Sequence, residues 1–163
     1  MIEGTMLLLA TGLGLGWLPW APGTFGSLLG IPLAWWLLGR PLPTQLITLV
    51  LLLAIGVPLC HWASIWLGGG DASAIVADEI LAFPIVLLGL AAARRPWMIG
   101  VAFALYRLFD ITKPPPIGHV EAIGGGLGIM LDDVVAALYA WLVLAVTIAL
   151  WRRHARNDHS GPM

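Results

Sequence analysis

The stretch TQLITLVLLLAIGVPLCHWASIWL, residues 44–67, carries no formal charge over 24 positions and is interrupted only by Gly56, Pro58 and His61. A helix crossing the roughly 30 Å hydrocarbon core of a bilayer needs about 20 residues, so this segment is long enough to span. Residues 134–151 form a second charge-free run, of 18 residues, that ends against Arg152 and Arg153. Four other apolar runs are shorter: 5–17, broken by Gly12, Gly14 and Gly16; 28–39, which contains Pro32; 80–93; and 97–106. These cross only with help from flanking polar residues and local bilayer thinning, or they are partly re-entrant. The expected architecture is all-α, a multi-pass membrane bundle of about six hydrophobic helices, some short or re-entrant. Residues 1–151 form one membrane-embedded domain in this reading, and 152–163 a polar tail.

Composition points the same way. Of 163 residues, 60% are hydrophobic and 10% charged, and mean hydropathy is +0.93. Soluble domains carry about 25% charged residues, and disorder requires low hydrophobicity with high net charge. A net charge of −1 lacks the basic footprint of a nucleic-acid binder, so no nucleic-acid partner is expected. Cys60 is the sole cysteine; it can form no intramolecular disulfide and by itself makes no zinc site. The first residues carry Glu3 and no Lys or Arg, which does not fit the basic start of a signal peptide. Trp17, Trp20, Trp35, Trp36, Trp66, Trp97 and Trp151 stand at segment ends, as headgroup-level anchors do.

The few charges are sorted. If all six segments cross, loops near 18–27, 68–79 and 110–133 share one face. That face gathers Asp71, Asp78, Glu79, Asp110, Lys113, Asp132 and Asp133, while Arg40, Arg94, Arg95, Arg152, Arg153 and Arg156 occupy the other.

Three motifs hold the acids. Asp71-Ala-Ser-Ala-Ile-Val-Ala-Asp78-Glu79 precedes an apolar run; on a helix Asp71 and Asp78 would share a stripe. Capping by Asp71 or Ser73 and a dipole interaction account for one acid but poorly for three. Arg107-Leu-Phe-Asp110-Ile-Thr-Lys113 places Arg107 and Asp110 on one helix face. Pro114 disfavours helical backbone at Lys113, so the helix ends there. Lys113 is the only lysine, a natural phosphate contact, although a helix C-terminal dipole partner has the same placement. Gly124-Gly-Gly-Leu-Gly-Ile-Met-Leu-Asp132-Asp133 is a glycine-rich approach that can present backbone N–H groups to an oxyanion, without Rossmann or Walker spacing.

Six carboxylates at an apolar boundary against Arg107 and Lys113 repel one another. A divalent cation relieves this, and oxygen-only ligands suit Mg²⁺. The arithmetic alone also permits a small cation transporter or channel, although residues 44–67 and 134–151 carry no internal acid. In the first loop, Pro22-Gly23-Thr24-Phe-Gly26-Ser27 offers hydroxyls and amides to phosphate or, equally, caps the next helix. His61 is expected to hydrogen-bond a neighbouring helix.

Taken in order, Pro22-Gly-Thr-Phe-Gly-Ser27, Ile75-Val-Ala-Asp-Glu79, Arg107-Leu-Phe-Asp-Ile-Thr-Lys-Pro114 and Gly128-Ile-Met-Leu-Asp-Asp133 resemble the phosphatidylglycerophosphatase A family. The resemblance runs from about Gly14 to Tyr139. It implies an all-helical, membrane-bound, Mg²⁺-dependent phosphatase. Such an enzyme removes the terminal phosphate of phosphatidylglycerophosphate and leaves phosphatidylglycerol. Asp78, Glu79, Asp110, Asp132 and Asp133 are then the catalytic and metal-holding carboxylates, with Asp71 as a further metal ligand. Arg107, Lys113, Thr24, Ser27, Gly23 and Gly26 are the substrate contacts. Two positions depart from the family's pattern: Ala137 replaces a frequent glycine, and Gly124 stands where some relatives carry His, so His119 is not promoted to a base. The motifs of phosphocysteine and phosphohistidine phosphatases are missing. Attack by a metal-held water and an aspartyl-phosphate route both remain open.

The resemblance implies a bacterial cytoplasmic membrane. The positive-inside rule puts the arginine face in the cytoplasm and the acids outside, whereas the origin of the substrate favours a cytoplasmic site, which is the expectation taken. Oligomeric state is not legible in the sequence.

Overall fold

The computed structural model describes residues 2–70 and 72–158, without the side chains of residues 121 and 155–158. Among the described residues the chain is helical and has no strand. Helix α1 (Ile2–Ala10) is followed by a 3₁₀ turn at Leu15–Trp17, then α2 (Pro22–Leu38) and α3 (Leu42–Trp66). The short α4 (Ala77–Ala82) runs into 3₁₀ backbone at Phe83–Leu87, with another 3₁₀ turn at Ala91–Ala93. Helices α5 (Pro96–Thr112), α6 (Ile117–Glu121) and α7 (Gly125–Asp158) complete the chain. Proline opens α2, α3 and α5 within their first turn, where its missing N–H costs nothing.

Two helices, Leu42–Trp66 and Gly125–His154, are long and apolar enough to cross a membrane. Only 22% and 28% of their most apolar windows are buried, unlike the core helix of a soluble protein. Ile47, Val50, Leu51 and Ile55 stand exposed along one face of α3. The other four apolar runs do not form helices of spanning length. The run 5–17 breaks at Gly12, Leu13 and Gly14, all at positive φ. The run 80–93 abandons the α-helix at Pro84, which lacks the donor an α-helix needs. Phe83, Pro84, Ile85, Val86 and Leu87 are all buried, and irregular backbone is tolerated at membrane depth when protein encloses it.

That 3₁₀ segment is the centre of the main core. Phe83 meets Tyr106 edge-on at 5.7 Å between centroids. Ala102 of α5 and Ala136, Ala137 and Ala140 of α7 are fully buried beside it, small residues that let helices approach closely. Ala137 therefore sits in a helix-packing position. A second cluster, with Cys60, Ala63, Ile75 and Met130, lies among α1, α3 and α7. There Gly126 permits the tightest crossing: a Cβ on it would meet the Val57 carbonyl oxygen and lie 2.5 Å from the His61 nitrogen.

The ends of the bundle differ. Arg40, Arg94 and Arg95 lie over the rings of Trp36, Trp35 and Trp151, where α2 and α7 finish and α3 and α5 begin. The cavity carboxylates lie at the opposite end, on the last turn of α5 and the early turns of α4 and α7, beside the start of α2.

Candidate active site

Three helices deliver charged side chains to one cavity of about 240 Å³, and the start of α2 completes its wall. From α4 come Asp78 and Glu79, held at the first turn because the Val76 N–H is donated to the Ala10 carbonyl at 2.9 Å. The last turns of α5 give Arg107 and Asp110, and Lys113 follows as its C-cap with φ 42°. Asp132 and Asp133 come from α7, and Gly23 from the start of α2.

Arg107 is the organising cation. Its Nη1 lies 2.5 Å from Asp110 Oδ2 and 3.4 Å from Glu79 Oε1, and donates to Ser27 Oγ at 3.3 Å. Its Nε is buried and has no hydrogen-bond partner among the described residues. Lys113 Nζ reaches Asp132 Oδ2 at 2.9 Å. Tyr106, fully buried one turn before Asp110, donates its hydroxyl to Asp133 Oδ1 at 2.7 Å. Burial pushes the Asp110 carboxyl above the usual range, and the nearby Arg107 and Lys113 charges only partly offset it.

Gly23 makes room for this arrangement, because a Cβ there would collide with Glu79 Oε1 and lie 3.2 Å from Arg107 Nη1. Gly26 similarly admits α4: its Cβ would lie 2.6 Å from that of Val76 and 3.2 Å from Glu79 Oε2. Of the substrate contacts expected from sequence, Gly23, Arg107 and Lys113 line the cavity. Ser27 is buried behind it, bonded to the Gly23 carbonyl and to Arg107. Thr24 and Gly26 are not on its wall. The glycine-rich approach to α7 is also elsewhere: the Gly126 N–H points to His61 Nδ1 at 3.4 Å, and Gly125 and Gly126, which both abut His61, serve the α3–α7 crossing. His61 is bonded to a neighbouring helix, as the sequence suggested. Asp71 lies outside the described residues. Tyr106 escaped the sequence reading, although its spacing of four from Asp110 put it on the same face.

Asp78, Glu79, Asp110, Asp132 and Asp133 outnumber the two bases on the cavity wall by three. Among the described residues no three His, Cys, Asp or Glu side chains converge as a ready metal cage; Lys113, Arg107 and Tyr106 each draw a carboxylate to themselves. The chemistry of the set nevertheless fits Mg²⁺: hard oxygen donors, no nitrogen or sulfur, and excess negative charge in a confined space.

No solved structure matches the chain. Its sequence is 42% identical to phosphatidylglycerophosphatase A of Escherichia coli, over 80% of this chain and 76% of that protein. It is 40% identical to phosphatidylglycerophosphatase A of Haemophilus influenzae, over 88% of each. A Bacteroides thetaiotaomicron protein, described provisionally as a phosphatidylinositol-3-phosphatase, is 38% identical over 86% of this chain and 91% of its own. The family profile described as phosphatidylglycerophosphatase A covers residues 8–148, a span that includes every carboxylate and base of the cavity. The chain belongs to the phosphatidylglycerophosphatase A family.

Proposed function

We propose that this chain is a Mg²⁺-dependent lipid phosphatase of the bacterial cytoplasmic membrane that releases the terminal phosphate of phosphatidylglycerophosphate. The observation that carries the reading is the gathering of five carboxylates, Arg107 and Lys113 around one cavity at one end of an apolar bundle. Arg107 and Lys113 are the anion-binding members, placed to neutralise charge on the phosphoryl oxygens. Ser27 fixes the guanidinium, and Tyr106 fixes Asp133. Asp78, Glu79, Asp110, Asp132 and Asp133 would hold the metal, with one of them free to accept a proton as the phosphorus–oxygen bond is exchanged. When bound, Mg²⁺ supplies Lewis-acid polarisation of a phosphoryl oxygen.

The test is phosphate release by the purified chain in mixed micelles, with Mg²⁺ and then with chelator. Turnover on phosphatidylglycerophosphate that stops with chelator and returns with Mg²⁺ is expected. Asp78→Asn, Asp110→Asn and Asp133→Asn should abolish it while the protein stays folded. The Bacteroides relative supports a second substrate reading, so phosphatidylinositol 3-phosphate belongs in the same assay; preferred turnover of that lipid would replace the first reading. We place the cavity on the cytoplasmic face. Labelling of a Gly118→Cys variant by an impermeant reagent in inside-out but not right-side-out vesicles is the expected result, and the opposite pattern would reverse the orientation.

A further inference from the structure

The end of the bundle opposite the carboxylates is built around three arginine–tryptophan pairs. Arg40 Cζ lies 4.6 Å from the Trp36 ring centroid, Arg94 5.4 Å from that of Trp35, and Arg95 5.8 Å from that of Trp151. These residues come from α2, the α2–α3 turn, the approach to α5 and the end of α7, so the pairs form a collar across elements. All three arginines are exposed, and among the described residues none is in an ion pair with a carboxylate. The Arg94 guanidinium lies close over the α2–α3 turn, where an added Cβ on Gly39 would stand 3.3 Å from it. Gln45 Nε2 bonds the Arg40 carbonyl at 2.8 Å, while its Oε1 accepts from the Gly89 N–H at 3.0 Å.

A guanidinium stacked on an indole satisfies the ring face and keeps its in-plane N–H donors directed outward. Three such groups, none paired with a carboxylate among the described residues, present their donors to anions from outside. The rings they rest on are half-exposed tryptophans, side chains that settle at the headgroup layer. Along α2, Gly23 on the cavity wall and Trp36 in the collar are separated by about 20 Å at 1.5 Å per residue. With the collar at one headgroup layer of a roughly 30 Å hydrocarbon core, the cavity lies in the opposite half of the bilayer, about 10 Å below the other headgroup layer.

We propose that the Arg40–Arg94–Arg95 collar is an acidic-phospholipid binding site, distinct from the carboxylate cavity, whose ligands are lipid phosphates in the leaflet opposite that cavity. It fixes the depth and tilt of the bundle, and with them the level at which the cavity meets the lipid surface. This assignment rests on the membrane setting and not on the reaction.

The experiment uses the full chain in nanodiscs of phosphatidylcholine with graded phosphatidylserine, an acidic lipid that is not a product of the proposed reaction. Native mass spectrometry counts the lipids that remain bound. The wild-type protein should retain phosphatidylserine over phosphatidylcholine. Each single Arg40→Gln, Arg94→Gln or Arg95→Gln change should lower that preference about fivefold, the fold-change for roughly 1 kcal/mol per basic residue at a membrane surface. Lysine at the same positions should restore only part of it, since stacking and the planar donor fork are lost. Phosphate release in detergent, unchanged in the single variants, reports that they are folded. Equal retention of the two lipids by wild-type protein would overturn the proposal, as would glutamine variants that bind like wild type. Arginine-dependent binding of soluble heparin without acidic-lipid preference would overturn it in favour of a soluble polyanion.

Discussion

Gly23→Ala separates folding from chemistry at the site. The new methyl group would overlap Glu79 Oε1 and stand 3.0 Å from Glu79 Cδ and 3.2 Å from Arg107 Nη1. Every obstacle is the far end of a long side chain, so the backbone need not move, and alanine is the better helix former by up to about 1 kcal/mol. The stability change is therefore expected within about 1 kcal/mol. The carboxylate, however, can retreat only by leaving Arg107, whose guanidinium is also shared with Asp110 and Ser27. A lost contact to a charged partner is worth about 1.5–3 kcal/mol, which at 1.36 kcal/mol per decade is roughly a 10- to 150-fold fall in kcat/KM. Phosphate release and thermal melting in the same detergent read the two effects side by side. In a Glu79→Asp background, already slower, the side chain is one methylene shorter and the collision is relieved. Gly23→Ala should then cost little more, a non-additivity that a double-mutant cycle measures. Activity within twofold of wild type for Gly23→Ala, or full additivity with Glu79→Asp, would refute the packing argument.

Gly126→Ala should do the reverse. Its Cβ meets the Val57 carbonyl and the His61 nitrogen, backbone atoms that cannot swing away, so about 1–3 kcal/mol of overpacking should appear as a lower melting temperature. Turnover per folded molecule should be nearly unchanged. Lys113→Met removes the ammonium from Asp132, 2.9 Å away, and should cost about 10²–10³ in kcat, as loss of an anion-stabilising donor does. Lys113→Arg, with the charge but not the compact head, should recover only part of that in the same assay. For pH, the Asp110 carboxyl is raised by burial. Between its ordinary and raised values the folded state holds more protons than the unfolded one, so stability falls as pH rises through that window. Melting temperature against pH, measured with chelator present, should show this fall, and Mg²⁺ held by the carboxylates should flatten it.

Much of the site was legible because its members are rare in this sequence. With so few charges, each one at an apolar boundary is conspicuous, and sorting them by loop set Arg40, Arg94 and Arg95 apart from Asp78, Asp110 and Asp132, although only two of the six spans that this sorting assumed are long and apolar enough to cross. Lys113 as a helix end followed from Pro114. The parts that were not legible depend on pairing across the chain. Ser27 serves Arg107, 80 residues away, and Tyr106 serves Asp133, 27 away; local spacing holds no trace of either partner. The glycine-rich approach to α7 invited a phosphate reading, but glycine has two uses, exposing N–H groups and admitting a neighbour. Only the position of α3 against Gly126 decides between them. The run 80–93 misled for a related reason: hydropathy cannot distinguish a helix facing lipid from backbone enclosed by helices.

That enclosed segment explains how the carboxylates meet at one level. Asp132 and Asp133 are the eighth and ninth residues of α7, about 10 Å along its axis from Gly125 at 1.5 Å per residue. Carboxylates at the end of a full-length neighbouring span would lie above them, out of reach. Because α4 begins inside the bundle and gives way at Pro84 to buried 3₁₀ backbone, its first turn lies at the depth of the third turn of α7. Asp78 and Glu79 then face Asp132 and Asp133 across the cavity instead of capping a helix at the surface. The segment keeps its irregular backbone because Phe83, Val86 and Leu87 are packed among α2, α5 and α7, away from lipid. A broken, buried helix is thus what lets an apolar bundle hold five carboxylates around one cavity.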